Sequence, residues 1–195
     1  MVMVKVLLRN HASVEPKDKY KWTPLHFAAG KGHTDLVELL LGEGASIAAA
    51  TLASYTPLHL AAEKGHTGTV ELLLGKGASI EAMQTDKWTP LHFAARWGHT
   101  GTAELLLRKG ASIEAMDKDK RTPLHLAAEW GHGNTAELLL GKGASVAALN
   151  KSKETPFQVA ARKRHTAIVE LLKSNATTAV RGRSSWSARL ASLLG

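Results

Sequence analysis

The chain has 195 residues, a net charge of +8 from 25 Lys and Arg against 17 Asp and Glu, and no cysteine. Its length permits one domain, and the missing thiols exclude disulfides, thiolate metal sites and cysteine nucleophiles while suiting a reducing compartment. No apolar run approaches the ~18 to 20 residues of a membrane span, and the Met1-Val2-Met3-Val4 start lacks a charged leader and cleavage site. The expectation is an intracellular, cytoplasmic chain with no membrane association.

The excess charge is unevenly placed: residues 1–22, 155–173 and 174–195 each carry +3, and the middle is close to neutral. That argues against the continuous basic cradle that tracks nucleic acid.

Val2, Val4, Val6 and Leu7 open the chain, and a helix is expected at about Val2–Arg9, followed by Asn10-His11-Ala12-Ser13-Val14. Beyond it the tetrapeptide Thr-Pro-Leu-His begins at Thr23, Thr56, Thr89 and Thr122, every 33 residues, and a fifth copy at Thr155 reads Thr-Pro-Phe-Gln. Gly-His keeps the same beat at 32/33, 65/66, 98/99 and 131/132, weakening to Arg164-His165. A Val/Ala-Glu-Leu-Leu run starts at Val37, Val70, Ala103, Ala136 and Val169. A fixed period of this length means one supersecondary unit stacked repeatedly, so function is to be sought on a surface.

Within one unit, Thr23 can cap a helix, Pro24 suits the first helical position, and Gly32 can supply the left-handed residue that ends it. Leu25, Ala28 and Ala29 lie at i, i+3 and i+4, and the paired alanines let a neighbouring helix come close. A second helix is predicted from about Thr34 to Leu41, with Val37, Leu40 and Leu41 on one face, stopping at Gly42 and Gly44. A helix shorter than ~12 residues is marginal in water, so each unit is ordered only by burying its apolar face against the next.

These words, in the order turn, TPLHxAA, GH, leucine-rich helix and Gly-Ala loop, resemble the ankyrin repeat over roughly residues 4 to 173. The resemblance implies an all-α fold, an ankyrin-type α-solenoid of stacked helix-turn-helix repeats joined by β-turn and hairpin loops. It also implies binding of a protein partner through the concave face and the turn tips. The domains expected are a partial first repeat at 1–17, four full repeats at 18–149, a cap-like repeat at 150–173 and a polar tail at 174–195.

Aligned with Val37, Val4 begins only a second helix and its loop, so the helix at about Val2–Arg9 is expected to leave part of the Leu25/Ala28/Ala29 helix uncovered. Such a start also suits a structural spacer cut from a longer array. At the other end Phe157-Gln158, Lys163-Arg164 and Lys173 make the last unit more polar, as a cap requires. In the tail, Trp186, Leu190, Leu193 and Leu194 fall at helical spacing. A short amphipathic helix there either docks on the last repeat or serves as a partner-binding peptide.

His26, His59, His92 and His125 stand seven residues before His33, His66, His99 and His132, but no carboxylate cluster completes the four ligands of a closed zinc site. The family resemblance gives them structural roles, the first bonding the Thr hydroxyl and the second steadying loop backbone. No metal and no cofactor are expected. Gly-x-Ser-x-Gly, a phosphate loop and His-Glu-x-x-His are all missing, and Glu38, Glu71, Glu104, Glu137 and Glu170 recur as a solvated helix face. Neither an enzyme nor a small-molecule substrate is expected.

Recognition is expected at positions the repeat leaves free. Before each Thr stand Trp22, Tyr55, Trp88, Arg121 and Glu154; before each Gly-His position stand Lys31, Lys64, Trp97, Trp130 and Lys163. The resemblance puts both columns on the concave face. Trp22, Tyr55, Trp88, Trp97 and Trp130 would then form one exposed strip, with Tyr20, Arg96 and Arg121 beside it, of the residue types that dominate interfaces. Alternatively each ring covers a neighbouring turn or stacks under a lysine, worth ~0.5 to 1 kcal/mol. Where the family's turn carries glycine, this chain has Lys21, Ser54, Lys87, Lys120 and Lys153, each strained by ~1 kcal/mol or more if φ is positive there. With Lys19, Lys118, Arg121 and Lys151 they would make a basic row, facing a protein partner with an acidic surface or serving solubility alone.

Overall fold

The computed structural model describes residues 13–175. The expected helices at Val2–Arg9 and around Trp186–Leu194 lie outside the described residues. Helices alternate short and longer: α1 (Pro24–Gly30), α2 (Thr34–Gly42), α3 (Pro57–Glu63), α4 (Thr67–Gly75), α5 (Pro90–Arg96), α6 (Thr100–Arg108), α7 (Pro123–Trp130), α8 (Gly133–Gly141) and α9 (Pro156–Arg162). Residues 166–175 form a further helix, α10, and no strand occurs among the described residues.

Each odd-numbered helix starts at a Thr-Pro step. The Thr has extended backbone, and Pro at the first helical position gives up no hydrogen bond because its N–H would have had no intrahelical partner. Each ends at a left-handed residue, Gly32, Gly65, Gly98 and Gly131 at φ 70°, 72°, 70° and 81°, from which the chain reverses into the second helix.

The units stack in register. α1, α3, α5, α7 and α9 pack in succession, and so do α2, α4, α6 and α8. Leu58, Leu91 and Leu124 from the first helices and Val70, Leu73, Leu106 and Leu139 from the second are fully buried, with the alanine pairs 61/62, 94/95 and 127/128 between them. Truncating one such leucine to alanine in a closed stack costs about 2–5 kcal/mol. Leu25, Ala28 and Ala29 are also buried, at 1%, 2% and 0% exposure. On the same helix Phe27 is open to solvent.

A polar ladder not visible in the sequence ties the second helices together. Thr34 and Thr69, Thr67 and Thr102, and Thr100 and Thr135 share hydroxyl hydrogen bonds of 2.8 Å. In the next step Gly133 and Ile168 take the two positions, so both hydroxyls vanish together and neither is orphaned.

The turns form their own ladder. Lys21 N–H donates to Asp18 O at 2.9 Å and Asp18 N–H to Trp22 O at 3.1 Å, a closed hairpin-like turn repeated at 51–55, 84–88, 117–121 and 150–154. Neighbouring turns join through Leu52 N–H to Tyr20 O, Thr85 N–H to Ala53 O, Lys118 N–H to Asp86 O and Lys151 N–H to Asp119 O, at 2.8–3.1 Å.

Candidate partner-binding groove

The groove is held by the first-helix histidines. In the third unit His92 Nδ1 accepts from Thr89 N–H at 3.1 Å and lies 2.9 Å from the Thr89 hydroxyl, while Nε2 reaches Arg121 O of the next turn at 3.1 Å. A carbonyl only accepts, so Nε2 carries the proton and Nδ1 is bare. His26, His59 and His125 repeat this network toward Tyr55, Trp88 and Glu154. Burial pushes His26 and His125 below the usual imidazole range, and pushes His59 and His92 down to about 4. A proton on Nδ1 would also point at the threonine N–H. These rings are neutral struts between one unit and the next turn. Among the described residues no three His, Asp or Glu side chains are placed to hold a metal ion.

In three units the second histidine does more than steady a loop. His99, His132 and His165 donate through Nε2 to Glu63 O, Arg96 O and Glu129 O at 2.9, 2.8 and 3.1 Å. Those are end carbonyls of the preceding unit's first helix, which lack intrahelical donors. The histidines therefore fix where each first helix stops, and with it the side chains at positions 96, 97 and 130.

Between these helix ends and the turns runs a groove whose chemistry changes along the stack. Near its start it is lined by Trp22, Pro24 and Phe27. Midway it is lined by Tyr55, Glu63, Asp86, Phe93, Arg96 and Trp97. Toward its far end Arg121, Glu129, Glu154 and Arg162 take over.

The aromatic side chains do not form one exposed strip. Trp97 and Trp130 are each 48% exposed, and Tyr20 is 53% exposed. Trp22 and Tyr55 are half-buried. Trp88, expected on the surface, is only 6% exposed. Its ring packs 5.0 Å from Phe93, and the Arg96 and Arg121 guanidinium groups lie over it at 5.2 and 5.5 Å. At the matching position Trp22 has Gly30 and Tyr55 where Trp88 has Arg96 and Arg121, so the same ring type stays more open.

Phe27, not singled out from the sequence, is 54% exposed beside Trp22 at 5.2 Å. Its counterpart Phe93 is covered because Tyr55 of the preceding turn lies 5.5 Å away. The signal lay in comparing the turn rings that each first helix has in front of it. Met83, Met116 and Leu149, 33 residues apart, are likewise exposed.

Lys21, Ser54, Lys87, Lys120 and Lys153 all have positive φ, between 56° and 63°, as does Arg164 at 62°. The lysines are exposed and make no ion pair among the described residues. The rest of the expected basic row is largely neutralised. Lys118 bonds Asp86 at 2.7 Å, Lys151 lies 3.8 Å from Asp119, and Arg121 lies 2.8 Å from Asp117 and 3.3 Å from Glu129. The Lys118 bond holds the Asp86 carboxyl below the usual carboxylate range, and Arg162 does the same for Glu154.

No helix among the described residues is long and apolar enough to cross a membrane. A family model described as ankyrin repeats matches the chain in three copies, over residues 2–84, 81–150 and 115–182. Compared with curated proteins, the chain matches none.

Proposed function

The chain belongs to the ankyrin repeat family, and from that premise we propose that it is an interaction module that holds a protein partner in the groove between its first helices and its turns. Ankyrin repeats are generally protein-interaction modules and generally non-catalytic. The supporting observation is the pair Trp97 and Trp130. The equivalent residues in other units are Lys31, Lys64 and Lys163, so the stack has no need of a large ring there, yet two adjacent units present half-exposed indoles. Exposed tryptophans beside an arginine are the side chains that most often anchor interfaces.

Trp22, Tyr55 and Arg121 line the same groove, exposed Tyr20 adds to the partner surface, and Lys21, Lys87 and Lys120 stand at the tips, where they steer a partner with an acidic surface. We place the chain in the cytoplasm, with residues 18–149 as four full repeats and 150–173 as the cap, and assign it no reaction. The test is affinity capture with the wild-type chain and with the W97A/W130A variant. Loss of the same captured proteins from a variant that melts as the wild type does supports the reading. Unchanged capture overturns it, and a folded wild type that retains no protein favours a structural spacer.

A further inference from the structure

Arg96 is the charged group of the groove that its own fold leaves unanswered. Its guanidinium lies 4.4 Å from the Trp130 ring centroid, 5.5 Å from Trp97 and 5.2 Å from Trp88. None of its side-chain N–H groups donates to a protein acceptor, and no carboxylate pairs with it, among the described residues. The neighbouring acids are taken, since Glu63 pairs with Lys64 at 2.9 Å and Asp86 with Lys118 at 2.7 Å.

The other units show what is missing. The residue before each Thr faces the residue eight positions later: Arg121 pairs with Glu129 at 3.3 Å, and Glu154 with Arg162 at 2.8 Å. In the third unit the same two positions hold Trp88 and Arg96, so a cation–π contact stands where the ion pair would be. An arginine held over aromatic rings keeps its planar fork of donors ordered, and that fork matches a carboxylate in two-point geometry. A groove of about 230 Å³ opens beside it, walled by Tyr55, Phe93 and Trp97.

We propose that Arg96, clamped by Trp97 and Trp130, receives one carboxylate side chain of the bound protein segment, an Asp or Glu flanked by an apolar residue that rests on the indoles. This rests on the partner-binding reading above and names the chemistry of its central contact. Charge complementarity selects the occupant: with Glu63 and Asp86 paired, the uncompensated charge among the residues lining this middle stretch of the groove is the positive one on Arg96.

The test pans a phage-displayed random heptapeptide library on the full chain, as wild type and as R96Q, with thermal melts to show that each variant folds. Wild-type pools are expected to enrich one Asp or Glu position next to an apolar residue, and R96Q pools to lose the acid but keep the apolar residue. A synthetic peptide from the wild-type pool should bind roughly tenfold or more weakly when its Glu is replaced by Gln, the size of a lost charge-assisted hydrogen bond. Against R96Q the Glu and Gln peptides should bind alike, and R96K should fall between, having the charge without the fork. No acid enrichment, or equal binding of the two peptides to the wild type, overturns the carboxylate site. If those peptides are still lost on W97A/W130A, the groove remains the binding face. Peptides indifferent to W97A/W130A, or a folded wild type that enriches none, overturn both readings. A phosphoserine peptide that outbinds the Glu peptide in an Arg96-dependent way overturns the carboxylate in favour of a phosphate.

Discussion

The His132 imidazole lies so close to Gly98 that a Cβ placed on Gly98 would stand 2.5 Å from its Nδ1. The same contact joins Gly32 to His66, Gly65 to His99 and Gly131 to His165. These glycines are therefore required twice, for a left-handed backbone and for room under the next unit's ring. Arg164 fills the fifth position, also left-handed, at φ 62°.

Gly98→Ala should accordingly lose more than Gly110→Ala, whose site has φ 96° but nothing within 4 Å of the new Cβ. Urea unfolding is expected to show about 1–2 kcal/mol lost at Gly110 from strain alone. At Gly98 displacement of His132 from Arg96 O adds about 1 kcal/mol or more. Equal losses at the two sites would show that the ring moves aside freely.

Stability should fall with acid in a window set by the buried histidines. His59 and His92 have folded pKa values of about 4 against 6.5 for an unperturbed ring, so the unfolded chain binds their protons first. Their stabilisation is complete above pH 6.5 and is lost as pH falls toward 4, by about 3 kcal/mol for each ring. The fifth unit supplies a non-titrating replacement: Gln158 Oε1 accepts from Thr155 N–H at 2.8 Å, as the histidine Nδ1 does elsewhere. His92→Gln should be less stable at pH 7, having lost the bond to Arg121 O, but should show a shallower fall between pH 6.5 and 4. A slope identical to wild type would remove His92 from the account.

The tip lysines are strained in the folded state. Lys87→Gly and Lys120→Gly should each raise stability by about 0.5–1 kcal/mol, the left-handed penalty less the extra freedom glycine gives the unfolded chain. The measurement is the urea midpoint at high salt, where loss of charge contributes little. A lower midpoint would mean that the lysine side chains contribute packing that outweighs the strain.

Trp88 and Trp97 should separate stability from binding. Trp88→Ala empties a buried site and should cost about 3 kcal/mol or more, whereas Trp97→Ala and Trp130→Ala remove half-exposed rings and should cost about 1 kcal/mol or less. Thermal melts of the three single variants check this. A binding assay that changes all three together would confuse unfolding with loss of contact.

The period, the helix starts at Thr-Pro, the left-handed stops and the tip lysines on the glycine position were all legible in the sequence. Each is decided within a few residues by backbone geometry: a missing N–H at Pro, a positive φ, a capping side chain three residues from its helix start. The exposure of the rings was not legible, because Trp88 and Trp97 are the same residue type at equally free positions. Trp88 is covered by Arg121, 33 residues on, and by Arg96, whose direction depends on where His132 stops α5. The threonine ladder joins residues 35 apart, and the unpaired state of Arg96 follows from Glu63 and Asp86 having found other cations. Local spacing determined what each unit is. Only the register of one unit on the next decided which side chains are covered and which charge is left over, because those contacts cross between units that the chain separates by a full repeat.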